Sequence, residues 1–223
     1  MNVSEKNLEV KCFYESCDLD QVRTKRSAYL NAVDNYIYAN CKSPFILDVG
    51  SGDGLRIRKI AERLNANVTT IDITNKSFVD CCELGFNAYQ DDIENFCINR
   101  FFDVITCLWS VLGYVNPVYS LKNMKAMLAK DGVLFFDVNV RYNFAEYGTY
   151  NCLRNMLIDL FKCPSRFPIG GCDVYLFDYW ELDSILLNLG FKFKKVYLNY
   201  SNGQKTNIFF GQLLYICTHD LGE

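Results

Sequence analysis

The chain has 223 residues, of which 50% are hydrophobic and 22% charged, with a formal net charge of −3. That length fits one domain with small additions, and the composition excludes wholesale disorder and collagen-like or low-complexity structure. The mild acidic balance disfavours a non-specific nucleic-acid binder, which needs a basic field. Residues 1–42 read as an N-terminal helical cap. Within them Val22 to Tyr38 has Ala28, Tyr29, Ala32, Val33 and Tyr36 at near-helical spacing, and Arg23, Lys25 and Arg26 open it. From residue 44 the pattern alternates. Phe45–Val49 is a short apolar run closed by glycines, as in a strand buried on both faces. A helix over 54–64 follows, with Ile57, Ile60, Ala61 and Leu64 on one face. Val68–Ile71 is a second strand, and Ser77–Leu84 is a helix stopped by Gly85. Phe86–Tyr89 and Asp103–Leu108 are the third and fourth strands. Asn116-Pro117 opens a helix as N-cap and first-turn proline. Leu121, Met124 and Leu128 continue it, Lys130-Asp131-Gly132 ends it, and Val133–Val138 is a fifth strand.

Five strand–helix repeats imply a parallel sheet with helices on both faces. Residues 139–178 break the rhythm with tyrosines, prolines and glycines, and read as an insertion or lid. Tyr179–Leu189 is helical, with Gly190 as its stop. Phe191–Tyr200 and Asn207–Thr218 are strands joined through Ser201-Asn202-Gly203, hence antiparallel. Residues 43–223 then form one α/β domain.

Eleven cysteines, an odd number without Cys-x-x-Cys spacing, stand beside a single histidine, His219. That set lacks the partners of a zinc site and reads as reduced, buried thiols, so no metal is expected and a cytoplasmic location is. No signal-peptide pattern and no apolar run of membrane-spanning length is seen.

Chemistry concentrates in Asp48-Val49-Gly50-Ser51-Gly52-Asp53-Gly54, between the first strand and first helix. The dinucleotide fingerprint spaces its glycines G-x-G-x-x-G; here the third comes one residue early. Asp48 beside the loop repels a phosphate and suits a cationic ligand group. Asp72 ends the second strand, 22 residues after Gly50, where a carboxylate can accept from both hydroxyls of a ribose. Asp91 and Asp92 end the third strand. Taken together, these carboxylates and glycines at the carboxyl ends of three successive strands line one crevice.

With Ile46–Gly54, Ile71-Asp72, Asp92-Ile93, Phe102-Asp103-Val104-Ile105, Leu128–Leu134 and the Glu181–Phe191 helix-to-strand step, the sequence resembles the class I S-adenosylmethionine-dependent methyltransferases over about residues 44–217. The resemblance implies a doubly wound, Rossmann-like, seven-stranded, mostly parallel sheet with an antiparallel last strand. It implies S-adenosylmethionine as cofactor and S-adenosylhomocysteine as product. It assigns Asp48, Gly50, Ser51 and Gly52 to the methionine and ribose parts, and Asp72 with Ile73 to the ribose side. Asp91 or Asp92, with Ile93, goes to adenine, and Leu108 or Trp109 to a backbone carbonyl near the methionyl amine. The implied acceptor is a small molecule methylated on nitrogen or oxygen. Expected substrate contacts are Arg26, Tyr29, Tyr114, Arg141, Tyr142 and Tyr147, with Arg23 at the same helix. Tyr142, Asn139 and Tyr29 are the base or positioning candidates, because the only histidine lies far from the expected crevice. RNA or protein methylation is the alternative, disfavoured by a charge-balanced insertion and by Leu108-Trp109-Ser110-Val111 standing where base-amino methylases carry Asn-Pro-Pro-aromatic. A non-catalytic binding protein of the same fold and a dehydrogenase are the remaining alternatives.

Overall fold

The computed structural model describes residues 3–16, 23–24, 26–41, 45–140, 142–160, 166–169, 172–177 and 180–220. Helix α1 (Val3–Ser16) and helix α2 (Ser27–Asn40) precede the repeating unit. That unit comprises β1 (Phe45–Val49), α3 (Leu55–Leu64), β2 (Asn67–Asp72), α4 (Asn75–Glu83), β3 (Asn87–Gln90), β4 (Phe102–Cys107), α5 (Pro117–Met127) and β5 (Leu128–Val138). Then come α6 (Phe144–Leu160), the hairpin β6 (Arg166–Ile169) and β7 (Cys172–Tyr175), α7 (Glu181–Asn188), β8 (Phe191–Leu198) and β9 (Gln212–His219). The main sheet runs β3-β2-β1-β4-β5-β9-β8. Neighbours from β3 to β5 pair parallel, and β9 pairs antiparallel with both β5 and β8. This is the seven-stranded sheet with one reversed strand that the motif order implies. The strand order reverses at β1, so the crevice between the carboxyl ends of β1 and β4 is the ligand position of an open α/β sheet.

Each strand divides its side chains between two cores. Leu47, Val49, Ile105, Cys107, Leu134, Phe136 and Val138 face one, closed by Leu121, Met124 and Met127 of α5 and Leu182 and Leu186 of α7. Ile46, Val104 and Phe135 face the other, closed by Ile57, Ile60 and Ala61 of α3 and Tyr29, Leu30, Val33 and Ile37 of α2. Both faces are covered, so the strands read as continuous apolar runs. On the α2–α3 face three polar residues interrupt the apolar set near the strand ends: Asp48, Thr106 and Asp137, all buried. The Tyr29 hydroxyl donates to Asp137 Oδ2 at 2.6 Å. Tyr29→Phe leaves a buried carboxylate oxygen without its donor. The expected loss is about 1–3 kcal/mol of stability, read as a lower urea midpoint at unchanged slope.

Most elements fall within two residues of their expected positions, and three differences have physical causes. Asn116 does cap α5, accepting from the Val118 and Tyr119 amides, but the helix ends at Met127. Leu128 is already strand and pairs with Phe102. The Lys130-Asp131-Gly132 punctuation is a bulge inside β5, where a Cβ on Gly132 would come 2.9 Å from the carbonyl oxygens of Ala129 and Phe102. Between β8 and β9, continuous strand pairing resumes at Gln212, after an isolated Leu198–Lys205 bridge. Residues 199–211 form turns anchored by the Asn199 and Thr206 amides on Gln204 and Tyr197 carbonyls. In the stretch expected as an insertion, α6 is kinked at Gly148, and β7 returns the chain so that Phe177 bridges Val140 in parallel.

Candidate functional site

Gly50, Gly52 and Gly54 all have positive φ, at +71°, +57° and +71°. That backbone region is open to glycine and strained for other residues, and here it turns the chain from β1 into α3 within five residues. The loop is fastened to β2. The Gly50 amide donates to the Ile71 carbonyl at 2.8 Å, and the Gly52 amide donates to Asp72 Oδ2 at 3.0 Å. Asp72 Oδ1 accepts from the Thr74 amide at 2.9 Å and the Thr74 hydroxyl at 2.8 Å. Burial raises the Asp72 pKa, and these donors hold it back. After β3, the Asp92 amide is bonded to the Asp91 carboxylate at 2.7 Å. Asp91 is exposed, Asp92 half-buried and Ile93 buried.

One cavity gathers these groups. Its lining includes Asp48, Gly50, Ser51 and Gly52 from the loop, Asp72 and Ile73 after β2, Asp91, Asp92 and Ile93 after β3, and Leu108 and Trp109 after β4. All eleven residues assigned to the cofactor from sequence meet there, as does Tyr114. Five lining carboxylates, with Asp53 as the fifth, stand against the guanidinium groups of Arg23 and Arg56. The excess of negative charge suits a ligand carrying positive charge. Arg23 pairs with Asp53 at 2.5 Å. Val10 and Tyr14 of α1 close one side, with the Tyr14 ring edge-on to Tyr114 at 5.5 Å. The glycine cradle, the acidic lining and two buried donors, Arg56 Nε and Trp109 Nε1, neither with a partner among the described residues, fit a ligand with a cationic centre, a diol and hydrogen-bond acceptors. S-adenosylmethionine has all three.

Other expected contacts lie elsewhere. None of the three base candidates lines the cavity. Tyr29 is buried against Asp137. Asn139 accepts from Gln212 at 3.3 Å and from the Tyr200 hydroxyl at 3.4 Å. Tyr142 packs against the margin of the first core. Arg26 lies over the Tyr200 ring at 4.4 Å. Tyr147, half-buried in α6, has its amide on the Asn143 carbonyl. Arg141 falls outside the described residues. After β5 the chain is tied to the segment that follows β7, Phe177 N donating to the Asn139 carbonyl at 3.2 Å. His219 meets the Leu128 carbonyl at 3.1 Å and does not line the cavity. Among the described residues no group of three or more His, Cys, Asp or Glu is placed to hold a metal, and no helix is long and apolar enough to cross a membrane.

Sequence reasoning missed Arg56, Val10 and Tyr14. Arg56 sits in the first turn of α3, beside the apolar stripe of Ile57 and Ile60. Its guanidinium donates to Asp34 of α2 at 2.6 Å. Its only sequence signal is a cation next to a buried helical face. Val10 and Tyr14 are four apart on α1, a weak amphipathic hint.

Asp48 is the most perturbed carboxylate of the lining. Burial pushes its pKa up to about 6, against the pull of Arg56 and of the Thr106 hydroxyl on Oδ1. Its pKa in the folded chain exceeds that of the unfolded one. Its contribution to stability is therefore full below about pH 4 and is lost as pH rises through about 6. A bound cation favours the ionised form, so cation affinity rises with pH over the same window. The expected outcome is S-adenosylhomocysteine or S-adenosylmethionine binding that tightens between pH 5 and 7 in the wild type. In Asp48→Asn that dependence is flattened, as titration calorimetry at several pH values will show.

Comparison with known proteins agrees with this geometry. A family profile described as "Methyltransferase domain" matches residues 46–132. The ubiquinone biosynthesis O-methyltransferase of Actinobacillus pleuropneumoniae serotype 7 (strain AP76) is 35% identical over 103 residues, covering 41% of this chain and 44% of that protein. The enzyme of the same name from Coxiella burnetii (strain RSA 493 / Nine Mile phase I) is 31% identical over 113 residues, covering 48% and 47%. The chain thus spans less than half the length of these curated relatives. Among solved structures, magnesium protoporphyrin IX methyltransferase from Synechocystis PCC 6803 with bound SAH superposes with a TM-score of 0.65 at 14% identity, covering 96% of this chain and 99% of that one. An S-adenosylmethionine-dependent methyltransferase from Clostridium acetobutylicum ATCC 824 gives 0.64 at 16% identity, covering 87% and 92%. At such identities the structures attest the fold, and the matched profile lies on the segment that builds the cavity. Residues 46–132 thus match a methyltransferase domain, within a chain whose fold is that of solved S-adenosylmethionine-dependent methyltransferases.

Proposed function

We propose that the chain is an S-adenosylmethionine-dependent methyltransferase acting on nitrogen or oxygen of a small-molecule acceptor. The observation that carries this reading is the single cavity in which the glycine loop, Asp72, the Asp91–Ile93 segment and the Leu108–Trp109 turn come together. When bound, S-adenosylmethionine supplies an electrophilic methyl group on a sulfonium. Asp72 accepts from the ribose hydroxyls, Asp91 or Asp92 from the adenine amino group, and Ile93 lies beside the ring. Asp48 and the neighbouring carboxylates favour the cationic end. Leu108 and Trp109 offer backbone carbonyls to the methionyl amine, and Val10, Tyr14 and Tyr114 exclude water. Transfer then needs alignment above all, with S-adenosylhomocysteine as the leaving group and the acceptor's proton passing to water or to a lining carboxylate.

The acceptor is open to test among phenols, catechols and amines. The relatives' names point to an oxygen acceptor, but the methyltransferase profile ends at residue 132. A cytoplasmic setting is in keeping with the free thiols of Cys41, Cys81, Cys107, Cys152 and Cys217 in the interior. Titration calorimetry with S-adenosylhomocysteine tests the first half of the proposal, and absence of binding refutes it. Incubation with methyl-labelled cofactor and an acceptor panel, read by mass spectrometry, tests the second. A labelled small molecule is expected, and label found only on RNA or protein refutes the small-molecule reading.

A further inference from the structure

We infer that Asp137 is a positioning residue: its buried carboxylate holds the strained Trp109-Ser110 turn in the shape that presents Trp109 to the cavity. This rests on the reading of the cavity as an S-adenosylmethionine site. Trp109 and Ser110 are consecutive non-glycine residues at positive φ, +65° and +59°. Each such residue is strained and persists only where its surroundings over-determine it. The surroundings here are specific. Asp137 Oδ1 accepts from the Ser110 amide at 2.6 Å. Its Oδ2 is held by the Tyr29 hydroxyl at 2.6 Å. The Ser110 hydroxyl accepts from the Gln212 side chain at 2.9 Å, and Gln212 also reaches Asn139. Helix α2 and strands β5 and β9 thus converge on one two-residue turn.

The turn matters because of what it carries. Trp109 lines the cavity, and its buried Nε1 has no partner among the described residues. A buried carboxylate is an expensive way to fasten a turn unless the fastening has a use. Asp137 is 1% exposed and does not line the cavity itself, so it acts through Ser110 and not on the ligand.

The roles of its two oxygens predict different variants. The Ser110 amide can only donate, whereas the Tyr29 hydroxyl can donate or accept. Asp137→Asn can therefore keep both contacts, with its carbonyl on Ser110 and its amide on Tyr29. Asp137→Ala loses both. Two readouts separate positioning from bulk stability. One is the emission of Trp109 in a Trp180→Phe background without ligand, since the chain has two tryptophans. The other is S-adenosylhomocysteine affinity by calorimetry. In Asp137→Ala a red-shifted Trp109 emission and affinity at least tenfold weaker are expected, with a cooperative urea transition retained. In Asp137→Asn both stay as in the wild type, affinity within threefold. If Asp137→Ala leaves emission and affinity unchanged, the inference is overturned. If Asp137→Ala does not fold, Asp137→Asn carries the test: affinity within threefold supports positioning, and a greater loss overturns it in favour of a need for the charge. A wild type that binds no S-adenosylhomocysteine defeats the cofactor reading instead, and the emission readout still decides whether Asp137 holds the turn.

Discussion

Asp72→Ala is expected to weaken S-adenosylhomocysteine binding about 100-fold or more, the largest effect of any single side-chain removal at the site. A hydrogen bond to a charged group contributes about 1.5–3 kcal/mol, and a ribose diol donates two. Partial replacement by water leaves a net loss near 3 kcal/mol, which is about two powers of ten in affinity. The same carboxylate also fastens Gly52 and Thr74, so the variant loosens the loop as well as the contact. Asp72→Asn, which keeps an acceptor oxygen but no charge, is expected to lose roughly tenfold. Calorimetry on both variants, with urea midpoints measured alongside, separates affinity from stability. Asp72→Ala binding within threefold of wild type would remove the ribose assignment.

Gly50→Ala is expected to abolish detectable binding and to destabilise the fold. At φ +71° an alanine is strained by about 1–2 kcal/mol. Its Cβ would in addition come 2.5 Å from Val111 Cγ2, far inside van der Waals contact. Val111 follows the Trp109-Ser110 turn and lines the cavity, so displacing it disturbs the cavity wall. Gly85→Ala isolates the strain: φ is +80° there and nothing lies within 4 Å of the added Cβ. It should lose about 1 kcal/mol of stability with binding intact. Equal binding losses in the two variants would show that strain, rather than the cavity wall, accounts for the effect.

Periodicity and punctuation carried the fold. The loop Asp48–Gly54, the caps at Asn116 and Gly85 and the apolar runs are local signals, each decided by a few neighbouring residues. That the residues assigned to the cofactor would meet in one cavity was legible for the same reason. Those residues sit at strand ends, and strand ends of a doubly wound sheet share one edge whatever the packing. The acceptor side was not legible. Tyr29, Asn139 and Tyr142 occupy plausible positions along the chain, but their environment is fixed by long-range partners: Asp137, Gln212 and the Phe177 bridge lie 108, 73 and some tens of residues away. Arg56 and the α1 residues escaped because their contribution depends on how α1 and α2 pack against the sheet. The bulge at Gly132 escaped because Lys-Asp-Gly reads as a turn in any local window.

The central placement of β9 has a consequence for the order in which the site is completed. Among the described residues strand β8 has no neighbour in the sheet except β9, and β5 meets only β9 on that side. A nascent chain that has emerged as far as β8 therefore presents β5 with a bare edge and β8 with nothing to pair with. The outer edge of β5 and the whole of β8 gain their pairing only when Gln212–His219 docks between them. Gln212, the first residue of that stretch, supplies the side chain that reaches Ser110. Cofactor-binding competence should thus appear only when the stretch from Gln212 onward is available.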